Sequence, residues 1–204
     1  MPAHVALQRV PGLLDIARDA GIDHGCFVGT NVPYVGTIDL MFALPVGDRP
    51  LYLGISCKPR EILDASTRVQ ERVKLDALYC EAIGASHCIE DAAGLDSMLL
   101  SNLSWLRPLT SEVRQHRETN RLADFAGRFN ELALQMSLTD AARQAGAALD
   151  LPVQEAYRLM RIGIWVHLID IDLTQPVLMT RPATRGTARV LNMLRARYLG
   201  GRHV

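Results

Sequence analysis

From Leu7 to Ala20 the apolar residues Leu7, Val10, Leu14 and Ala17 recur at helical spacing. Pro11 and Gly12 interrupt that span, so the helix is expected to begin after Pro11, with Gly21 at its C-terminal end. His24 to Tyr34 is short and glycine-rich, and predicts a weak strand around Cys26-Phe27-Val28. Two apolar runs follow, Thr37 to Leu44 and Leu51 to Lys58. Pro45, Gly47, Asp48 and Pro50 between them carry turn chemistry, so the pair reads as a β-hairpin. Glu61 to Ile83 predicts one long amphipathic helix. Ile62, Ala65, Val69, Val73, Leu78 and Ile83 form its apolar face, Arg68, Glu71, Arg72 and Lys74 its polar face, and Gly84 its cap. Ser86 to Ile89 is a short strand, and Leu95 to Leu103 a short helix leading to Trp105. The order is α-β-β-β-α-β, a mixed sheet with helices packed on it.

Pro108 to Ser111 breaks the pattern and marks a candidate boundary. Beyond it a helix is expected over Glu118 to Met136, with Leu122, Phe125, Phe129, Leu132 and Met136 inward. Ser137 to Asp140 offers an N-cap for a helix ending at Ala148, and Pro152 opens another that runs to Ile162 with Gly163 at its end. The apolar run Ile164 to Ile171 reads as an alternating strand and Pro176 to Thr180 as a second. Three helices and a β-hairpin are the plan of a winged helix-turn-helix. Thr187 to Tyr198 is a basic helix or a disordered tail. The expected divisions are residues 1–110, 111–180 and a basic tail over 181–204.

Half of the 204 residues are apolar, 49%, which is enough for a real core. The 22 basic residues balance the 22 acidic ones, so net charge names no partner. Distribution says more: no acid follows Asp172, while Arg181, Arg185, Arg189, Arg195, Arg197 and Arg202 do. Such a tail suits a phosphate backbone, with salt-sensitive affinity, or an acidic protein partner. Cys26, Cys57, Cys80 and Cys88 have no CxxC spacing and read as free buried thiols in a reducing compartment. No secretory signal or membrane-length apolar run is visible, so the expected location is cytoplasmic and no membrane partner is expected.

Asp39 in one apolar run and Lys58 at the end of the next are out of place on hydrophobicity grounds, and charged groups are seldom buried without a partner. A hairpin would bring them together. A carboxylate in one strand and a lysine near the end of the next is also the layout of the PD-(D/E)xK nucleases. Phosphodiester hydrolysis needs a cation on the phosphate and on the attacking water. Asp39 would supply an oxygen ligand to Mg²⁺ or Mn²⁺, and Lys58 would orient the water or offset charge on the phosphate. Strand alternation would turn Ser56 to the same side as Lys58, and Cys57 into the core. A structural Asp–Lys pair is the alternative reading, and Ser56 stands where Glu, Asp or Gln is usual.

The order of segments resembles TnsA, the endonuclease subunit of heteromeric bacterial transposases. The matching stretches are GTIDLMFAL with YLGISCKP, ERVKLDALYCEAIG with SHCIED, then SNLSWL, then Ser137 to Thr180, in which Leu159-Met160, Gly163, Asp170 or Asp172, Pro176-Val177 and Thr180 fit the family pattern. The resemblance covers roughly residues 30 to 180. It implies a restriction-endonuclease-like α/β domain followed by a winged helix. The implied protein cuts DNA at the 5′ ends of a transposon using Mg²⁺, beside a DDE transposase and an AAA+ ATPase regulator. Asp39 carries over as the metal aspartate, Lys58 as the catalytic lysine and Ser56 as the residue at the second ligand position. The family's first-helix glutamate has no match. Asp15, with Asp19 behind it, is the substitute, a solvated helix charge being the other reading.

Arg158 and Arg161 fall on the third helix of the expected winged domain and, with Arg181, Arg185 and Arg189, are the candidate DNA contacts, a solvated helix face being the other reading of Arg158 and Arg161. His87 reads as a satisfied core histidine, Glu90 as a turn carboxylate, and Trp105 and Trp165 as core. Two other functions stay open: a catalytically degenerate adaptor linking transposase and ATPase, and a winged-helix DNA-binding regulator.

Overall fold

A computed structural model of the protein describes residues 10–46, 49–107, 110–117 and 120–200. Leu7, the turn residues Gly47 and Asp48, Pro108, Glu118 and Arg202 lie outside them. The chain divides into two compact units between Gly94 and Leu95, ahead of the Pro108–Ser111 break.

The first unit holds α1 (Leu13–Asp19), β1 (Leu40–Val46), β2 (Arg49–Cys57), α2 (Arg60–Ala65), α3 (Thr67–Ala82) and β3 (Ser86–Glu90). Its three strands form one mixed sheet in the order β1-β2-β3. β1 and β2 are antiparallel, with Leu40 opposite Ile55 and Leu44 opposite Leu51, as the hairpin pattern predicts. β3 returns parallel to β2 through α3, the crossover that a parallel pair requires. α3 lies close on β2. A Cβ added at Gly54 would stand 2.5 Å from Cys80 Sγ, so a bare backbone at 54 is what admits the helix. Ala17, Ile22 and Leu75 are buried where α1 packs on α3.

Two expectations about the elements of this unit fail. Cys26-Phe27-Val28 is not a strand. Only one isolated bridge joins Cys26 to Pro33, around a turn in which Phe27 O accepts from Thr30 N. The long helix is two helices, because Ser66 leaves the helical conformation (φ −132°, ψ 105°) and caps α3 by accepting from Val69 N. Serine competes with helical backbone in this way and favours N-caps.

The second unit contains α4 (Ser97–Leu106), α5 (Thr110–Arg117), α6 (Asn120–Leu132), α7 (Leu138–Ala147), α8 (Val153–Trp165) and α9 (Thr187–Leu199). Leu122, Phe125, Phe129, Leu138, Leu159, Met160 and Ile162 fill one core. Phe125 and Phe129, one turn apart on α6, stack at 6.0 Å. No strand is found among the described residues after Glu90, so the expected strands Ile164–Ile171 and Pro176–Thr180 are corrected. α8 instead runs through Gly163 to Trp165 and closes with His167 in the left-handed region (φ +63°). Leu168 N donates to Gly163 O, and His167 N to Ile164 O, the bonding of a Schellman cap. The later segment is irregular, with a turn in which Arg181 N donates to Leu178 O, and docks by hydrogen bonds: Leu138 N and Thr139 N donate to Arg181 O and Met179 O. Trp105 and Trp165 are 38% and 39% exposed rather than core. Cys26 and Cys57 are exposed free thiols, whereas Cys80 is buried as expected.

Candidate functional site

Asp39 sits at the mouth of β1, and Lys58 follows the last residue of β2. Lys58 Nζ donates to Asp39 Oδ2 at 2.6 Å, and Cys57 N donates to the same oxygen at 2.7 Å. The expected meeting of the two charges therefore occurs. Their side chains are 37% and 26% exposed, so the pair stands at the surface in reach of solvent. The hydrogen bond from Lys58 holds the Asp39 carboxyl below its ordinary value; partial burial opposes it, and Cys57 N–H and the charge of Arg72 assist.

Ser56 is not beside this pair. It is fully buried, at 0% exposure. Its hydroxyl donates to Asp76 Oδ2 at 2.9 Å, and His87 Nε2 stands 2.9 Å from Ser56 Oγ. Because a carboxylate only accepts, the single hydroxyl hydrogen goes to Asp76, and Ser56 Oγ accepts from His87. Strand alternation misplaces this region for a local reason. Gly54 and Ser56 face α3, which leaves Cys57 outward and exposed. The strand ends at Cys57, so the alternation no longer governs Lys58. Cys57 in the core and Ser56 alongside Lys58 are both corrected.

Arg72, expected only as a polar-face charge, and Asp76, which the sequence reading passed over, connect the parts. Arg72 Nη2 reaches Asp76 Oδ1 at 2.9 Å and Thr37 O at 3.3 Å, and its charge acts on Asp39. A signal for Asp76 was present: Val69, Val73, Asp76 and Cys80 recur at helical spacing, which places a carboxylate on the stripe that α3 buries. Burial pushes the His87 imidazole below its usual value against the pull of Asp76, so it is neutral near pH 7. Burial, with Asp76 nearby, pushes the Cys80 thiol up, so it is an inert protonated group.

Asp15 pairs with Arg18 on its own helix at 2.5 Å, and Asp19 lies 3.8 Å from the same arginine. Glu90 accepts from Ala92 N at 2.7 Å and is a turn carboxylate, as read. Among the described residues no group of three or more His, Cys, Asp or Glu could hold a metal ion by itself. Mg²⁺ is commonly held by one or two carboxylates together with substrate phosphates and water. Asp39 fits that smaller demand, since both hydrogen bonds it accepts fall on Oδ2.

The five arginines separate into different settings. Arg158 pairs with Glu155 at 2.9 Å and Glu112 at 3.4 Å. Arg161 Nη2 donates to Trp105 O and Leu106 O, tying α8 to the end of α4. Arg185 lies 4.0 Å from Asp170, and Arg189 is 3.2 Å from buried Asp172. Arg181 is exposed. Asp170 accepts from Gly186 N and Thr187 N and so caps α9 from outside the helix. Burial opposes its ionisation, but these donors, the Thr187 hydroxyl and Arg185 together hold its carboxyl below the ordinary value. No helix among the described residues is long and apolar enough to cross a membrane. In comparisons with known proteins, no family model and no curated protein matches the chain.

Proposed function

We propose that the protein is a TnsA-like endonuclease subunit that hydrolyses a phosphodiester at the 5′ ends of a transposon. The carrying observation is the Asp39–Lys58 contact of 2.6 Å at the exposed open end of the β1–β2 hairpin. In this reading Asp39 is the carboxylate that would hold Mg²⁺ or Mn²⁺, which on binding would polarise the phosphate and acidify the attacking water. Lys58 offsets charge on the phosphate and orients the water. Ser56 supports the site only from beneath, through the buried Asp76 and His87.

The second unit is read as the DNA-binding part, a winged helix without strands in its wing. α7 and α8 are the helix pair, and Arg181 is an exposed side chain open to phosphates. Arg158, Arg185 and Arg189 reach DNA only by leaving their carboxylate partners Glu112 and Glu155, Asp170 and Asp172, and Arg161 serves α4. A DDE transposase and an AAA+ ATPase regulator are the proposed partners.

Cleavage of transposon-end DNA by the assembled complex tests the reading. It is expected to require Mg²⁺ or Mn²⁺ and to fall about 10²-fold or more in Asp39→Ala and in Lys58→Ala. Undiminished cutting in both variants excludes this site. A second reading, the degenerate adaptor, is favoured by the burial of Ser56 where a further ligand would be useful. It predicts unchanged transposition in Asp39→Ala and none after removal of the second unit.

A further inference from the structure

β1 is the outer strand of the sheet, and among the described residues no strand pairs with its other side. The register fixes which of its backbone groups face that open side. Pro45 stands opposite Pro50, and neither has an N–H to exchange, so the two form a non-hydrogen-bonded pair of the ladder. By alternation Leu44, Phe42 and Leu40 exchange the bonds with Leu51, Leu53 and Ile55. Further along β2, Lys58 N turns to β3 and donates to Glu90 O, while Cys57 N turns to Asp39, which agrees with this parity. The N–H and C=O groups of Met41 and Ala43, and the C=O of Pro45, therefore point away from β2 along the open edge. No described backbone group meets them.

Leu40, Met41 and Phe42 are 46%, 44% and 41% exposed. Met41 lies opposite Gly54 on the face toward α3, so Leu40, Phe42 and Leu44 share the other face. Natural edge strands carry charges, lysine above all, that guard them against pairing with another chain. From Leu40 to Val46 β1 carries none, and only Pro45 interrupts the outward donors.

We propose that β1 pairs antiparallel with β1 of a second copy of this chain, joining two three-stranded sheets into one. The outward groups choose the register. A two-fold axis at Phe42 sets Met41 of each copy opposite Ala43 of the other, and every outward N–H finds a carbonyl. An axis at Ala43 would set Met41 opposite Pro45, which has no N–H to give. An axis at Met41 would set Ala43 opposite Asp39, outside the strand. With the axis at Phe42 the cross-strand pairs are Phe42 with Phe42 and Leu40 with Leu44. All are apolar and uncharged, so a like copy meets no repulsion. β1 has 7 residues, against about 20–30 per side in a standard interface, so the dimer forms reversibly with concentration. The proposal does not depend on the nuclease reading, because neither side chain of the Asp39–Lys58 pair takes part.

Sedimentation velocity of the full chain, from micromolar to millimolar concentration, tests it. A dimer that grows with concentration is expected. Ala43→Pro removes an outward N–H and no bond to β2, as Pro45 already does. It should weaken the dimer about tenfold or more, since each copy loses a bond. Phe42→Lys sets like charges across the axis and should do the same while keeping the circular dichroism of the parent. Cross-linking reads the register, with Cys26→Ser and Cys57→Ser removing the exposed native thiols. The two Phe42 residues would form a non-hydrogen-bonded pair, with Cα atoms about 4.5 Å apart and within reach of a disulfide. Phe42→Cys should therefore give a covalent dimer under mild oxidation, and Leu44→Cys should not. A monomer at every concentration, a dimer unchanged in both Ala43→Pro and Phe42→Lys, or equal cross-linking at positions 42 and 44 overturns the proposal.

Discussion

Asp39 Oδ2 takes two donors, one from a side chain and one from the backbone, and this makes its carboxylate easy to ionise. Asp170 reaches the same condition by capping α9. Both have folded-state pKa values below the unfolded one, so each contributes stability that is present at neutral pH and lost as pH falls below about 4. His87 and His167 are lowered by burial, so the unfolded chain takes up protons first. Stability then also declines as pH falls below about 6.5. Urea midpoints measured from pH 8 to pH 3 should therefore fall in two stages. His87→Gln should shrink the first stage and leave the second; a midpoint flat across both ranges contradicts these assignments. Asn102 gives a test in the second unit. Its Nδ2 donates to Leu173 O and Gln175 O, both at 2.8 Å. Asn102→Ala strands two carbonyls, and a loss of about 1–3 kcal/mol by denaturant unfolding is expected.

At the scale of elements, two glycines in neighbouring helices should respond to alanine in opposite directions. Gly127 of α6 has nothing within 4 Å of an added Cβ, so Gly127→Ala should stabilise by about 1 kcal/mol through helix propensity. Gly146 of α7 has Ala156 Cβ 2.6 Å from the same point, and Ala156 is fully buried. Overpacking costs of about 1–3 kcal/mol outweigh the propensity gain, so Gly146→Ala should destabilise. Equal shifts in thermal midpoint for the two would refute the close α7–α8 crossing. Helix ends marked by strong caps were legible in the chain: Gly21, Gly84, Ser137 and Pro152 all stand at helix boundaries. The hairpin was legible because its apolar runs and turn residues agree. The wing strands were misread because Ile164 to Ile171 alternates like a strand. Hydrogen bonds from His167 and Leu168 back into α8 instead close a helix, and tertiary packing decides such short apolar runs. His167→Gly should stabilise by about 1 kcal/mol, since glycine adopts positive φ without strain.

At the scale of the whole molecule, a small mixed sheet with its helices precedes a helical unit, and the two divide at Gly94. Part of the candidate site was readable because Asp39 and Lys58 are charges in apolar runs of the sequence, an anomaly visible without coordinates. The layer beneath was less so: Asp76 falls on the apolar stripe of α3, but Arg72 looks like an ordinary helix charge until α3 is seated on Gly54 and Ser56. The proposed nuclease function is tested most directly by single-turnover nicking of labelled transposon-end DNA by the proposed complex containing Asp39→Asn, across a Mg²⁺ titration. Asparagine keeps the shape of the side chain and removes its charge. The account predicts a rate about 10²-fold or more below the parent, partly recovered at high Mg²⁺. A parental rate with parental Mg²⁺ dependence would contradict it.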